Sequence, residues 1–276
     1  MLGLSNGVNG KNESMRMKTN TIEIHYELSG KKGAPVVVLS HSLASSLVMW
    51  NLQMDDLNSY FQVLRYDMRG HGKSEVISGP YTLELLADDV IGFLDALKID
   101  RVHYVGLSIG GMIGQSLALN YAHRLRSLAL CDTASIIPQE AQPIWQERID
   151  KTLTEGMEAQ VDETMERWFT PAFLKQGSPM LDIIRKQILA TSVQGYIGCA
   201  EAIRKLNYLN RLSEIKIPTL IMVGEDDPGT PVSASEAIHE RIANSKLLIL
   251  PSARHLSNIE QKKAFNTALL TFLKDQ

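Results

Sequence analysis

The chain has 276 residues, of which 44% are hydrophobic and 21% are charged, as in an ordinary globular protein with one large domain or a core with an inserted piece. Its formal net charge of −3 gives no basic field for nucleic acid or an acidic membrane, so we expect neither as a partner. Cys131 and Cys199 lie outside any CxxC pattern. We therefore expect no disulfide framework and no metal site, and we favour a reducing cytoplasm.

The N-terminal residues 1–19 are polar, rich in glycine and asparagine, and lack the apolar core of a signal peptide. We predict that they form a flexible leader. Residues 21–30 then alternate between apolar and polar side chains and stop at a glycine. This alternation predicts an edge strand of an antiparallel pair.

The rest of the chain alternates between strand and helix patterns. Short apolar runs predict strands over 35–40, 61–67, 101–107, 126–132, 218–224 and 245–251. Apolar residues at helical spacing predict helices over 82–99, 108–124 and 264–275. This order predicts an α/β fold with a mostly parallel central sheet and helices on both faces.

One region interrupts the alternation. Residues 134–212 contain no convincing strand, and their helical fragments are separated by prolines and glycines. We therefore predict a helical cap over 134–212, inserted in a core formed by residues 20–133 and 213–276.

A serine with small neighbours occupies the turn between the strand at 101–107 and the helix that follows it. Residues 106–110 read GLSIG and match the pattern G-x-S-x-G in the strand–turn–helix context that this motif requires. Such a turn exposes the serine hydroxyl at the carboxyl end of the sheet, beside the unpaired N–H groups of the helix. A phosphate-binding turn is the alternative, but the lysine of a P-loop is absent. We therefore predict that Ser108 is a nucleophile.

A serine hydroxyl needs a general base, and the base needs an orienting acid. His255 follows the strand at 245–251 in a polar loop, and loops after parallel strands share one edge of the sheet. We predict His255 as the base. Asp227, in the loop after the strand at 218–224, is our choice of acid because the following P-G-T-P turn would fix its direction. Asp132 is a rival, and Asp226 would be solvated or capping.

Two backbone N–H groups are expected to bind the negative oxygen of the reaction intermediate, and we assign them to Leu43 and Ile109. Leu43 lies in the loop after the strand at 35–40. His41 and Ser42 are expected to shape this loop, and His71 in RGHGKS is expected to form structural hydrogen bonds.

Several segments resemble the α/β-hydrolase superfamily. They are HSLASSLVMW, RYDMRGHGKS, GLSIGGMIGQ, GEDDPGTP and ARHLSNIEQ. Residues 20–276 further resemble the 3-oxoadipate enol-lactonases, through GPYTLELLADDV, CDTAS, ERWFTPAF and QGYIGCAEAIRKLN. The superfamily often has His-Gly where this chain has His41-Ser42, and the added side chain narrows the loop.

The resemblance implies an α/β-hydrolase fold and hydrolysis of a lactone through an acyl-enzyme, with Ser108, His255 and Asp227 as the triad. It implies no metal and no organic cofactor. The implied substrate is a small lactone or ester with a carboxylate. The insert offers four cations for that carboxylate, and we assign Arg204 to it among Arg148, Arg167, Arg204 and Lys205. Trp145 and Trp168 are expected to wall the pocket.

The triad alone leaves several activities open. A general carboxylesterase, a C–C bond hydrolase and a perhydrolase would use the same residues. A binding protein that retains the fold is an alternative of another class. The sequence makes no prediction about oligomeric state.

Overall fold

The computed structural model describes residues 14–19 and 21–276, which form an eight-stranded sheet in the order β1-β2-β4-β3-β5-β6-β7-β8. The strands are β1 (Ser14–Lys18), β2 (Glu23–Gly30), β3 (Val36–Ser40), β4 (Gln62–Tyr66), β5 (Val102–Leu107), β6 (Leu125–Cys131), β7 (Thr219–Gly224) and β8 (Ser245–Leu250). Strand β2 pairs antiparallel with β1 and β4, and the other neighbours are parallel. The predicted mostly parallel α/β sheet is therefore confirmed.

The α-helices lie between and after the strands. They are α1 (Met54–Asn58), α2 (Leu83–Ala96), α3 (Ile109–Asn120), α4 (Gln142–Glu155), α5 (Val161–Trp168), α6 (Pro171–Gln176), α7 (Pro179–Ala190), α8 (Val193–Arg204), α9 (Val232–His239), α10 (Ser257–Glu260) and α11 (Lys262–Lys274). Short 3-10 helices cover Leu47–Gln53, Ala122–Arg124, Gln139–Ala141, Met157–Gln160 and Leu209–Glu214. Within the described part of the chain, no helix has the length and apolar character needed to cross a membrane.

The predicted leader is wrong over residues 14–18, because these residues form β1. Their side chains alternate, and Met15 and Met17 pack against the core while Ser14 is exposed. Ser14 Oγ also lies 2.7 Å from His25 Nε2 on β2. Strand β2 is consequently not the predicted edge strand, since β1 lies outside it. The rest of the predicted leader, residues 1–13, lies outside the described residues.

The central strands are buried on both faces. Every residue of β5 and of β7 is buried. A strand whose alternate side chains are all buried must be covered on both sides, which is usual for parallel sheets. Helices therefore cover both faces of the sheet, as predicted.

The segment between β6 and β7 consists of helices joined by loops, and its described residues form no strand apart from an isolated bridge between Ile136 and Asn207. The division into core and cap stays a prediction, but the contact of α8 with the rest of the fold is clear. A Cβ added at Gly195 would lie 2.0 Å from the carbonyl oxygen of Gly70. One turn later, a Cβ at Gly198 would lie 2.5 Å from the Tyr81 ring. Helix α8 therefore packs backbone to backbone on the loop that follows β4.

Candidate active site

Ser108 lies on a strained turn between β5 and α3. Its backbone has φ 59° and ψ −119°, in a region that residues other than glycine rarely adopt. A Cβ at Gly106 would lie 2.1 Å from the Gly110 carbonyl oxygen, and one at Gly110 would lie 2.4 Å from the Ser40 carbonyl oxygen. A Cβ at Gly111 would lie 2.8 Å from Thr133. The glycines around Ser108 therefore allow β5, α3 and the end of β3 to come this close.

Neighbouring strands fix the backbone of this turn. The Ser108 N–H donates to the Cys131 carbonyl at 2.9 Å, and Thr133 Oγ1 donates to the Ser108 carbonyl at 2.7 Å. Both partners lie at the end of β6. The Ser108 side chain then lines a cavity of about 480 Å³, which Asp227 and His255 also line.

Asp227 and His255 form a buried pair in this cavity. Asp227 Oδ2 lies 2.7 Å from His255 Nδ1. A carboxylate only accepts hydrogen bonds, so Nδ1 carries the proton and Nε2 is left as the basic nitrogen. Among residues 14–19 and 21–276, no hydrogen bond joins Ser108 Oγ to His255 Nε2. Such bonds are often long without substrate and shorten when substrate binds.

The turn after Asp227 fixes its carboxylate, as predicted. Oδ1 accepts hydrogen bonds from the N–H groups of Gly229 at 2.8 Å and Thr230 at 3.1 Å. The Thr230 hydroxyl donates to Oδ2 at 2.6 Å. Asp226, in contrast, is exposed.

Each partner of this pair shifts the pKa of the other towards its charged form. Burial alone would raise the pKa of Asp227, but His255 and the Thr230 hydrogen bonds outweigh burial and lower it. Burial alone would lower the pKa of His255, but the charge and hydrogen bond of Asp227 outweigh burial and raise it. The imidazole is therefore a stronger base than a free histidine side chain.

Asp132, the rival acid, has other partners. Its Oδ1 accepts from the Gly224 N–H at 2.8 Å, and its Oδ2 accepts from the Ser257 hydroxyl at 2.6 Å. The side chain is fully buried, and burial together with nearby Asp227 raises its pKa well above the ordinary value. The geometry therefore favours Asp227 as the partner of His255.

The N–H groups of Leu43 and Ile109 are available at the serine turn. Ile109 is the first residue of α3, so its N–H has no acceptor within the helix. Leu43 lies in the loop after β3 and lines the cavity. Within the described residues, no protein acceptor is found for either group. Both can therefore donate to a bound ligand.

Both predicted tryptophans line the cavity. Trp145 lies on α4 and is partly buried, whereas Trp168 ends α5 and is 6% exposed. The Trp168 ring stacks on His255 with centroids 6.3 Å apart and an angle of 27° between the planes. The aromatic wall therefore touches the predicted base itself.

The predicted role of Arg204 is wrong, because its side chain is used elsewhere. Arg204 Nη1 donates to Gln146 Oε1 at 2.8 Å and to Glu201 Oε1 at 2.9 Å. Its Nε donates to Gln142 Oε1 at 3.2 Å, and Arg204 does not line the cavity. These contacts tie the end of α8 to α4. Its position in the sequence did not show which face of α8 it occupies.

Two other arginines of the same insert, Arg148 and Arg167, line the cavity. The Arg148 guanidinium lies over the Trp145 ring, 4.9 Å from its centroid. Arg167 donates to Thr164 Oγ1 at 2.8 Å, and burial followed by the charge of Arg148 lowers its pKa. Glu163 Oε2 lies 3.7 Å from Arg167 Nη1, whereas Glu163 Oε1 lies only 2.6 Å from Lys151 Nζ on the outer surface. The cavity wall therefore carries two neighbouring positive charges that are only partly neutralised.

Comparison with known proteins identifies the fold family of the chain. A model of the alpha/beta hydrolase fold family matches residues 35–173, and a TAP-like protein model matches residues 194–276. The 3-oxoadipate enol-lactonase 2 of Acinetobacter baylyi is 34% identical over 92% of this chain and 94% of its own length. The crystal structure of the enol-lactonase from Burkholderia xenovorans LB400 has a TM-score of 0.91 and 38% identity, covering 94% of this chain and 100% of that one.

A relative with a different name also aligns along most of the chain. A putative carbamate hydrolase, RutD, of Caulobacter is 28% identical over 94% of this chain and 99% of its own length. Family match, sequence identity and structural similarity all indicate the same fold family. The chain belongs to the α/β-hydrolase fold family, and within it is similar to the 3-oxoadipate enol-lactonases.

Proposed function

We propose that this hydrolase opens the enol-lactone of 3-oxoadipate by Ser-His-Asp catalysis, as a step in the catabolism of aromatic compounds. One observation carries the proposal: Ser108, the Asp227–His255 pair and two arginines line the same cavity. The relatives named as enol-lactonases support the choice of substrate. The cavity volume of about 480 Å³ suits a small molecule.

Acylation begins with proton transfer from Ser108 Oγ to His255 Nε2 as Oγ attacks the lactone carbonyl carbon. Asp227 holds the imidazole in the reactive tautomer and stabilises the imidazolium that forms. The negative charge then develops on the former carbonyl oxygen, where the N–H groups of Leu43 and Ile109 bind it. Each such donor contributes about 3 kcal/mol to lowering the barrier in comparable sites.

Collapse of this intermediate breaks the bond between the carbonyl carbon and the ring oxygen. The ring oxygen leaves as an enol that takes the proton from His255, and the enol becomes a ketone. A water molecule, deprotonated by His255, next attacks the acyl-enzyme ester. Collapse of the second intermediate breaks the bond between the acyl carbon and Ser108 Oγ, and His255 returns its proton to Oγ. The product is 3-oxoadipate with a new carboxylate.

Arg148 and Arg167 are proposed to bind the carboxylate that the lactone already carries. Two guanidiniums at one wall of an apolar cavity favour an anion, because charge-assisted hydrogen bonds to a carboxylate are about twice as strong as neutral ones. Trp145 supports Arg148 by stacking beneath it. The charged end of the substrate would thus lie against α4 and α5.

The same proposal places the enzyme in the cytoplasm. Cys131 and Cys199 are both buried and not joined in a disulfide. Cysteines that remain thiols fit a reducing compartment.

A comparison of substrates tests the proposal. We expect kcat/KM for the enol-lactone to exceed that for a neutral p-nitrophenyl ester and for an alkyl carbamate. Faster turnover of the ester would make the protein a general carboxylesterase, and faster turnover of the carbamate would place it with the RutD relatives. Retention of activity by Ser108→Ala would exclude serine catalysis altogether.

A further inference from the structure

The loop that carries Leu43 is held by two buried histidines, His41 and His71. His41 Nε2 accepts a hydrogen bond from the Met68 N–H at 3.0 Å. A neutral imidazole that accepts at Nε2 carries its proton on Nδ1. That Nδ1–H lies 2.7 Å from the Ser42 carbonyl oxygen and therefore donates to it.

The Ser42 carbonyl and the Leu43 N–H belong to the same peptide group. A trans peptide is planar, so its C=O and N–H point in opposite directions. A donor that holds the oxygen on one side therefore fixes the direction of the N–H on the other. It also polarises the peptide, since hydrogen bonds in a chain strengthen one another by roughly 10–30% per bond.

We propose that His41 is a positioning residue for the oxyanion hole, acting through the Ser42–Leu43 peptide. The hydrogen-bond chain runs from the Met68 N–H through the His41 ring to the Ser42 carbonyl, and ends at the Leu43 N–H. This inference rests on the proposed function, because it requires that Leu43 donate to the reacting oxygen.

His71 secures the next peptide of the loop. Its Nε2 accepts from the Ala44 N–H at 3.1 Å, and its Nδ1 lies 3.1 Å from the Arg69 carbonyl oxygen. Ala44 has φ 57°, so the chain reverses direction immediately after Leu43. Leu43 lines the cavity, and a histidine bonds to the peptide group on each side of its Cα: His41 to the Ser42 carbonyl and His71 to the Ala44 N–H.

Both rings must be neutral for this arrangement, since a protonated imidazole cannot accept from an N–H group. Burial lowers the pKa of His41, and burial with the charge of His41 lowers the pKa of His71 to about 3. Each ring therefore keeps one donor and one acceptor throughout the neutral pH range.

Two matched variants separate the two hydrogen bonds of His41. His41→Asn places an N–H near the Nδ1 position and keeps the bond to the Ser42 carbonyl. Gln reaches the Nε2 position and keeps only an acceptor for the Met68 N–H. We expect His41→Gln to lower kcat for p-nitrophenyl acetate about tenfold or more, less than the 10²–10³ that loss of a whole donor costs. KM should change less than about twofold, because the missing contribution is specific to the transition state.

His41→Asn should retain most of the wild-type kcat. A boronic acid inhibitor, which places a negative oxygen at the oxyanion position, should bind His41→Gln more weakly by about the same factor as kcat falls. A carboxylate without a reacting centre should bind all variants equally. Thermal unfolding checks that both variants are folded, and Asn and Gln at buried His103, which bonds to Ser127 Oγ at 2.8 Å, provide the control pair.

A His41→Gln variant that matches or exceeds His41→Asn in kcat would overturn the inference. So would equal boronate affinity in the two variants. The ester assay keeps this test separate from the proposed substrate: a protein that fails to open the enol-lactone but shows the Asn–Gln difference on the ester supports the role of His41. Ester turnover that survives in Ser108→Ala would overturn the role of His41 together with serine catalysis.

Discussion

Asp227 Oδ2 and His255 Nδ1 lie 2.7 Å apart, although the two residues are 28 positions apart in the chain. Strand β8 accounts for the separation, since Asp227 follows β7 and His255 follows β8. Because the two strands are parallel, their carboxyl ends meet at one edge of the sheet. The sheet therefore brings the acid to the base, and the turn after Asp227 fixes the orientation of the Asp227 carboxylate.

This pairing predicts different effects at the two buried aspartates. Asp227→Asn should lower kcat by about 10⁴, the effect seen when a triad aspartate is neutralised and the imidazole takes the wrong tautomer. Asp132→Asn should be much milder, because its bonds go to Gly224 and Ser257 and an amide can replace them. Steady-state kinetics on the enol-lactone measure both. A severe Asp132→Asn with a mild Asp227→Asn would transfer the role of the acid.

The serine turn predicts one labelled residue. A fluorophosphonate probe should label the wild-type protein at Ser108 and should not label Ser108→Ala, whose thermal unfolding should be almost unchanged. Ser116→Ala, on the same helix α3 but bonded to Asn120, should be labelled normally. Mass spectrometry locates the adduct. Absence of wild-type labelling would favour a binding protein.

The arginine pair predicts selectivity for charged substrates. Arg148→Gln or Arg167→Gln should raise KM for the enol-lactone about tenfold or more, since each removes a charge-assisted contact of about 1.5–3 kcal/mol. Turnover of a neutral ester should change little. Arg204→Gln is the control, because Arg204 bonds to Gln142, Gln146 and Glu201 outside the cavity. An equal effect of all three variants on KM would contradict the assignment.

The raised pKa of His255 predicts the pH dependence of activity. Only the neutral imidazole accepts the serine proton, so kcat/KM should fall on the acid side with an apparent pKa above the ordinary value of about 6.5. Asp227→Asn removes the main cause of the increase, so its acid limb should move to lower pH. Rate profiles between pH 4 and pH 9 on a neutral ester show the shift. An acid limb that stays in place would mean that Asp227 does not raise the pKa of His255.

The same pKa shift has a consequence for stability. Protonated His255 stabilises the fold fully below its unfolded-state pKa of about 6.5, and this contribution is lost as the pH rises through the folded-state value. The lowered pKa of Asp227 acts in the opposite range, because its contribution is present above the unfolded value and is lost on acidification. Chemical denaturation at a series of pH values would show both effects as slopes in the free energy of unfolding, one in the range where His255 titrates and one in the range where Asp227 titrates.

The space around two glycines predicts opposite effects on stability when each is replaced by alanine. Gly110 is crowded at the serine turn, whereas Gly92 in α2 has room for a methyl group. Gly110→Ala puts a Cβ 2.4 Å from the Ser40 carbonyl, and such overpacking costs about 1–3 kcal/mol and displaces Ser108. Gly92→Ala, inside α2, meets only Thr19 at 3.8 Å and should stabilise the protein by about 0.5–1 kcal/mol. Thermal melts and esterase activity compare the two. A stable, active Gly110→Ala would show that the turn can admit a methyl group without moving Ser108.

The fold and the Asp–His pair could be predicted because they depend on local patterns. Apolar runs identify parallel strands, and the topology of such a sheet then places Ser108, Asp227 and His255 at one edge. The turn P-G-T-P correctly indicated which aspartate is held in place. Each of these inferences needs only the order of strands and the residue that follows each one.

Which side chains of the helices between β6 and β7 face the cavity could not be predicted in the same way. Arg148, Arg167 and Arg204 all lie on helices of the insert, and which of them faces the cavity depends on how those helices pack against one another. The edge strand β1 was missed for a related reason, because the polar composition of residues 1–19 concealed a five-residue alternation in which only Met15 and Met17 are apolar. Long-range packing decides both cases, and a single sequence carries little record of it.

The backbone contact between Gly195 and Gly70 limits how the substrate range of this enzyme can be altered. Since a single added carbon at position 195 would lie 2.0 Å from the Gly70 carbonyl, the joint between α8 and the core admits no larger residue. Directed evolution for bulkier substrates should therefore fail at this joint and succeed on α4 and α5, which contribute side chains to the cavity wall. The backbone contact between α8 and the loop after β4 thereby defines where variation is tolerated.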